Sequence, residues 1–104
     1  MLIVLTSVSN SDDATALAEI IVRAKLAACV QILPQMTSVY VWQGEVQKEP
    51  EHLLLIKTLA EKFDELRAFI IANHSYEIPE IVAIDAEKVS GPYLKWMNEV
   101  LDRI

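Results

Sequence analysis

The chain has 104 residues, 53% of them hydrophobic and 23% charged, with a formal charge of -6 at neutral pH. That composition suits one folded domain over residues 1–104 and excludes a disordered chain. A negative balance without any basic block removes the attraction that draws proteins to nucleic acid or to anionic membranes, so cations are the better-matched ligands.

The β-branched and leucine content of Leu2 to Val8 predicts a strand. Ser9-Asn10-Ser11-Asp12-Asp13 then supplies capping oxygens and acidic charge for a helix start. Leu17, Ile20, Ile21 and Ala24 recur with helical spacing, giving a first helix that ends near Lys25. Ala28 to Val41 reads as one long strand, placed at a sheet edge or bulged because Pro34 lacks a ladder donor. Gln43-Gly44 makes a turn, and Glu45 to Thr58 returns as the second arm of an extended hairpin. Thr58-Leu59-Ala60-Glu61 matches a capping box that opens a second helix, with Phe63, Leu66 and Ile70 inward, Asn73 as its cap and Pro79 as its stop. Ile81 to Ile84 reads as a buried strand, and Ser90-Gly91-Pro92 starts a last helix lined by Leu94, Met97 and Leu101.

The order β-α-β-β-α-β-α predicts an α+β, ferredoxin-like sandwich with an extra C-terminal helix. Both main helices then cover one sheet face, since their crossovers share one hand. Leu53-Leu54-Leu55-Ile56 and Ile81-Val82-Ala83-Ile84, however, put apolar side chains on both faces. At about 25 cal/mol per Å² of apolar area, leaving the second face wet forfeits several kcal/mol, so self-association is expected. No run approaches the roughly 18 apolar residues of a membrane helix. No secretion signal is expected, because Met1 to Thr6 carries no basic region and Ser7, Ser9, Asn10 and Ser11 cut the apolar run short. The single cysteine, Cys29, suits a reducing compartment, and a cytoplasmic protein is expected.

Ala27-Ala28-Cys29-Val30-Gln31-Ile32, Ser38-Val39-Tyr40-Val41-Trp42-Gln43-Gly44, Glu51 through Lys57-Thr58, and His74-Ser75-Tyr76-Glu77-Ile78-Pro79-Glu80-Ile81 follow one another in a specific spacing. Together with Tyr93 to Trp96 they make the chain resemble the CutA divalent-cation-tolerance family along nearly its whole length. The resemblance implies a ferredoxin-like subunit in a tight homotrimer, a shape similar to that of the PII signalling proteins. It also implies a non-enzymatic role in tolerance of copper and other divalent cations. The chain departs from the family pattern at Ser75, where proline is usual, and at Gln31, where asparagine is usual.

Each candidate site residue has a functional and a structural reading. Cys29 is the softest donor, suited to copper or zinc, or else a small buried hydrophobe. His74 and Glu77, in one loop, are ligands for a cation or polar members of a pocket, or else solvated loop residues; as ligands they need Cys29 or another subunit to complete the shell. His52 is expected at the surface. Tyr40 and Trp42 share strand parity and, with Gln31, Lys57, Tyr76 and Glu77, are expected to line an intersubunit pocket or a packing patch. Trp96 and Tyr93 carry the same pair of readings. Two functional classes follow: a metal-binding homeostasis protein using Cys29, His74 and Glu77, or a PII-like module that binds a small molecule or docks on a partner protein. The phosphate loop of an acylphosphatase and the basic-aromatic signature of RNA-binding sheets are both missing. So are a catalytic triad, a nucleotide-binding glycine loop and a Cys-x-x-Cys pair.

Overall fold

The computed structural model describes residues 1–101. Its elements are β1 (Leu2–Val8), α1 (Ser11–Arg23), β2 (Cys29–Ile32), β3 (Met36–Trp42), β4 (Glu45–Thr58), α2 (Phe63–Asn73), β5 (Val82–Asp85) and α3 (Gly91–Val100). A short 3-10 turn, Ala60–Lys62, leads into α2. The five strands form an antiparallel sheet in the order β2-β4-β1-β5, with β3 pairing only with the first half of β4.

Local chemistry explains the boundaries. Asn10 caps α1 by accepting the Asp13 amide at 2.8 Å, and Asp12 and Asp13 lie where the helix dipole favours anions. At its other end Lys25 adopts φ +58°, and the amide of Leu26 donates to the Ile21 carbonyl, a Schellman-type stop. The β3–β4 hairpin turns through Gln43 and Gly44, both at positive φ, as a two-residue loop matched to strand twist requires; Gly44 takes +81°.

The register sorts β4 by parity. Leu54 and Ile56, both fully buried, pack with Val4 and Val8 of β1 under Leu17 and Ile21 of α1 and Leu66 and Ile70 of α2. The opposite face carries Ile3 and Leu5 of β1, Leu53, Leu55 and Lys57 of β4, Cys29 and Gln31 of β2, and Val82 and Ile84 of β5. The last helix closes one end of the molecule: Met97 and Leu101 pack with Ala28 and Leu59, and Lys57 Nζ lies 5.5 Å from the Tyr93 ring centroid. Across the rest of that face Leu5 and Leu55 are half-buried, and Val82 and Ile84 are 48% and 49% exposed. The paired β3 and first half of β4 form an arm that helps stretch the molecule to 48 Å, and the 14.4 Å radius of gyration exceeds the about 13 Å of a compact domain this long.

Four expectations are corrected. The single strand over Ala28–Val41 is two strands, parted at the sheet edge where Leu33-Pro34-Gln35 sets three residues against His52 and Leu53 of β4; this is the bulge expected of Pro34, and the Leu33 amide still donates to the Leu53 carbonyl at 2.9 Å. Thr58 is not a helix cap: its hydroxyl donates to the Leu26 carbonyl at 2.7 Å inside the protein, and α2 starts five residues later. The strand near Ile81–Ile84 is exposed rather than buried, since β5 pairs with β1 alone among the described strands and forms an edge of the sheet. Ile20, placed on the inner stripe of α1, is 37% exposed; the buried positions are Ala14, Leu17 and Ile21.

Candidate functional site

A cavity of about 600 Å³ opens where the arm meets the body of the sheet. Ser38, Val39, Tyr40 and Trp42 of β3 form one wall. Tyr76, Glu77, Ile78 and Glu80, from the loop between α2 and β5, form another, and Ser7 and Glu51 complete the lining. Strand parity accounts for much of this set, because Ser38, Tyr40 and Trp42 share a face of β3 and pair with Glu49, Gln47 and Glu45, the odd positions of β4 to which Glu51 also belongs.

Glu51 is the centre of the polar network. It is only 7% exposed. Its Oε2 accepts from the Tyr76 hydroxyl at 2.6 Å and from the Ser7 hydroxyl at 3.2 Å. Among the described residues no hydrogen bond reaches Oε1 and no basic side chain pairs with the carboxylate. Burial and the neighbouring Glu51 both disfavour the phenolate and raise the Tyr76 pKa well above the usual tyrosine value.

That shift has a sign and a test. The neutral phenol is favoured in the folded protein, so the stabilisation it brings is complete below the ordinary tyrosine pKa, about 10, and is lost as pH rises through the higher folded value. In an ultraviolet titration the difference between this chain and Tyr76→Phe should show no phenolate absorbance at about pH 11 in the native state, and should show it once the chain is unfolded. A native phenolate signal near pH 10 would break the assignment of the Tyr76–Glu51 bond.

His74 secures the loop. Its Nε2–H donates to the Ser7 carbonyl at 2.8 Å, while its Nδ1 accepts the Tyr76 amide at 3.0 Å, so both ring nitrogens have partners and the ring carries its proton on Nε2. The rings of His74 and Tyr76 lie 4.7 Å apart. The arrangement pins the start of the loop to β1 and aims the Tyr76 hydroxyl at Glu51. His74 reaches the carbonyl of Ser7, not its hydroxyl, so the pair lacks the contact of a base with a nucleophile.

The candidates divide accordingly. Tyr40, Trp42, Tyr76 and Glu77 meet at the cavity, and His74 supports it. Lys57 does not: it stands six residues from Glu51 along β4, about 20 Å at strand rise, and covers Tyr93. Trp96, 42% exposed, packs its ring 5.5 Å from Tyr93 on α3. Cys29 is half-buried on β2 opposite Lys57, and exposed Gln31 lies opposite Leu55. Lys57 and Leu53 are four positions apart on β4, and Leu53 pairs with Ser7, so Cys29 and His74 lie about 13 Å apart along the strands. Within one chain Cys29, His74 and Glu77 therefore do not meet, and among the described residues no group of three or more His, Cys, Asp or Glu is arranged to hold a metal ion. His52, expected at the surface, is half-buried, its Nδ1 donating to the Leu33 carbonyl at 3.0 Å. Six lining residues, Ser7, Ser38, Val39, Glu51, Ile78 and Glu80, were not among the expected site residues. Counting back from Lys57 in steps of two would have placed Glu51 on the cavity face.

Residues 2–100 match the family model described as CutA1 divalent ion tolerance protein. The chain belongs to this family. A Thermus thermophilus relative, the divalent-cation tolerance protein CutA, is 42% identical over 93% of this chain and 94% of its own length. Protein CutA of Arabidopsis thaliana, described as chloroplastic, is also 42% identical over 93% of this chain, which spans 53% of that longer protein. Among solved structures, the divalent cation tolerance protein of Thermus thermophilus superposes with a TM-score of 0.91 at 42% identity, covering 95% of this chain and 97% of that one. The Archaeoglobus fulgidus protein, described as a periplasmic divalent cation tolerance protein, gives 0.93 at 32% identity, covering 97% and 99%. The α+β fold with five antiparallel strands and three helices is therefore the family's fold. No helix among the described residues is long and apolar enough to cross a membrane.

Proposed function

We propose that the chain acts in divalent-cation tolerance as a non-enzymatic, ferredoxin-like homotrimer in the cytoplasm, and that it works as a PII-like module whose small ligand sits in the cavity beneath the arm. The observation that carries this reading is the cavity itself: about 600 Å³, within the range of small-molecule sites, with two aromatic residues on one wall and a buried carboxylate in its lining. Trimer formation is supported by the apolar open face around Leu5, Leu55, Val82 and Ile84, which no described element of the chain covers.

A second reading, direct binding of copper or zinc through Cys29, His74 and Glu77, is favoured by the family's link to divalent ions. It requires donors from more than one subunit and release of at least one His74 hydrogen bond.

Native mass spectrometry separates the two, using copper and zinc with magnesium as the control. The expected result is a mass of three chains, with any copper or zinc uptake unaltered by Cys29→Ser or His74→Ala. Selective uptake in a fixed ratio per chain, lost in both variants, would replace the cavity reading with the metal site. A monomer would overturn the trimer.

A further inference from the structure

Resting on the reading of the cavity as a ligand site, we propose that its ligand is an organic cation, a small molecule with an ammonium or guanidinium head on an apolar body. Among the described residues three charged side chains line the cavity, and all are carboxylates: Glu51, Glu77 and Glu80. No described lysine, arginine or histidine lines it. A phosphate- or carboxylate-bearing ligand would therefore meet like charge and find no countercharge there.

Glu51 adds a more specific demand. The carboxylate is 7% exposed, and its two hydroxyl donors both serve Oε2. Oε1 takes no hydrogen bond from a described residue and, unlike Thr6 Oγ1, is not sealed from solvent, so it is the oxygen that a ligand in the cavity can reach. An N–H of an ammonium or guanidinium would give that oxygen a donor and the carboxylate a countercharge in one contact.

The walls select an organic rather than a metal cation. Tyr40 and Trp42 present aromatic rings, 42% and 40% exposed, which attract a cationic head and bury an apolar body. The volume suits a molecule of that class and is far larger than an ion needs, and no metal-ligating group of three or more forms among the described residues.

The test is isothermal titration calorimetry of the full chain in its native assembly with four probes: benzylamine, agmatine, benzyl alcohol and benzoate. Benzylamine or agmatine is expected to bind saturably, with benzyl alcohol and benzoate at least tenfold weaker. Glu51→Gln should weaken the cation at least tenfold. Because that substitution touches a buried network, Tyr40→Leu, on the exposed arm, serves as a second variant and should weaken binding severalfold while the fold and assembly mass stay unchanged. Benzyl alcohol or benzoate binding as well as benzylamine, and depending on Tyr40, would overturn the cationic class and leave the ligand cavity standing. No binding of any probe up to about 10 mM would overturn both the inference and the cavity reading beneath it.

Discussion

Leu55→Glu is expected to leave monomers in place of the proposed homotrimer, with the far-ultraviolet circular dichroism of the subunit unchanged. Leu55 lies mid-face on the open side of the sheet, in register between Leu5 of β1 and Gln31 of β2, and is half-buried in the single chain. A glutamate there keeps its carboxylate in water while the subunit is alone. In an assembly that covers this face, each subunit would bury an unpaired charge, at a cost of several kcal/mol per copy. Sedimentation velocity at micromolar concentration reads the outcome directly. A trimer that survives the substitution would show that the open face is not the contact surface.

The neighbouring position predicts a different failure. Leu54→Ala should cost about 2–5 kcal/mol of subunit stability, because Leu54 is fully buried on the helix-covered face and its truncation leaves a cavity in a packed core. The measurement is best made by urea denaturation in the Leu55→Glu background, where assembly does not add concentration-dependent stability. A fall in midpoint with an unchanged slope is the expected signature. A loss under about 1 kcal/mol would mean that β4 and the two helices are not closely packed at this point.

The two substitutions also mark how far the sequence could be read. Four apolar residues in a row at 53–56 have no period-two alternation, and from that alone the sheet is expected to need cover on both sides. The structure agrees for Leu54 and Ile56 on one side and leaves Leu53 and Leu55 partly open on the other. Parity likewise brought Tyr40 and Trp42 together. It misled at Lys57, because β4 is 14 residues long and two residues on one face of such a strand can stand at opposite ends of a domain. The Pro34 bulge was legible from the missing donor, but that it would divide the strand in two depended on how β4 pairs, with β2 through residues 54–57 and with β3 through residues 45–51. Thr58 shows the same limit, since a hydroxyl that suits a local cap was claimed by the Leu26 carbonyl, 32 residues away.

By itself, the sequence determined the identity and order of most elements, the tight Gln43–Gly44 turn and the apolar excess of the sheet, all of which follow from periodicity and backbone preference within a few residues. The tertiary structure alone decided the chemistry of the site. Ser7 meets Glu51 across 44 residues, His74 reaches back 67 residues to the Ser7 carbonyl, and Tyr76 closes onto Glu51 across 25. No local pattern encodes such contacts, because each depends on where separate strands and a loop are placed by core packing. That placement turns an ordinary strand glutamate into a largely buried carboxylate with one oxygen open to a cavity, and turns the histidine of the loop into the brace that holds Tyr76 against it.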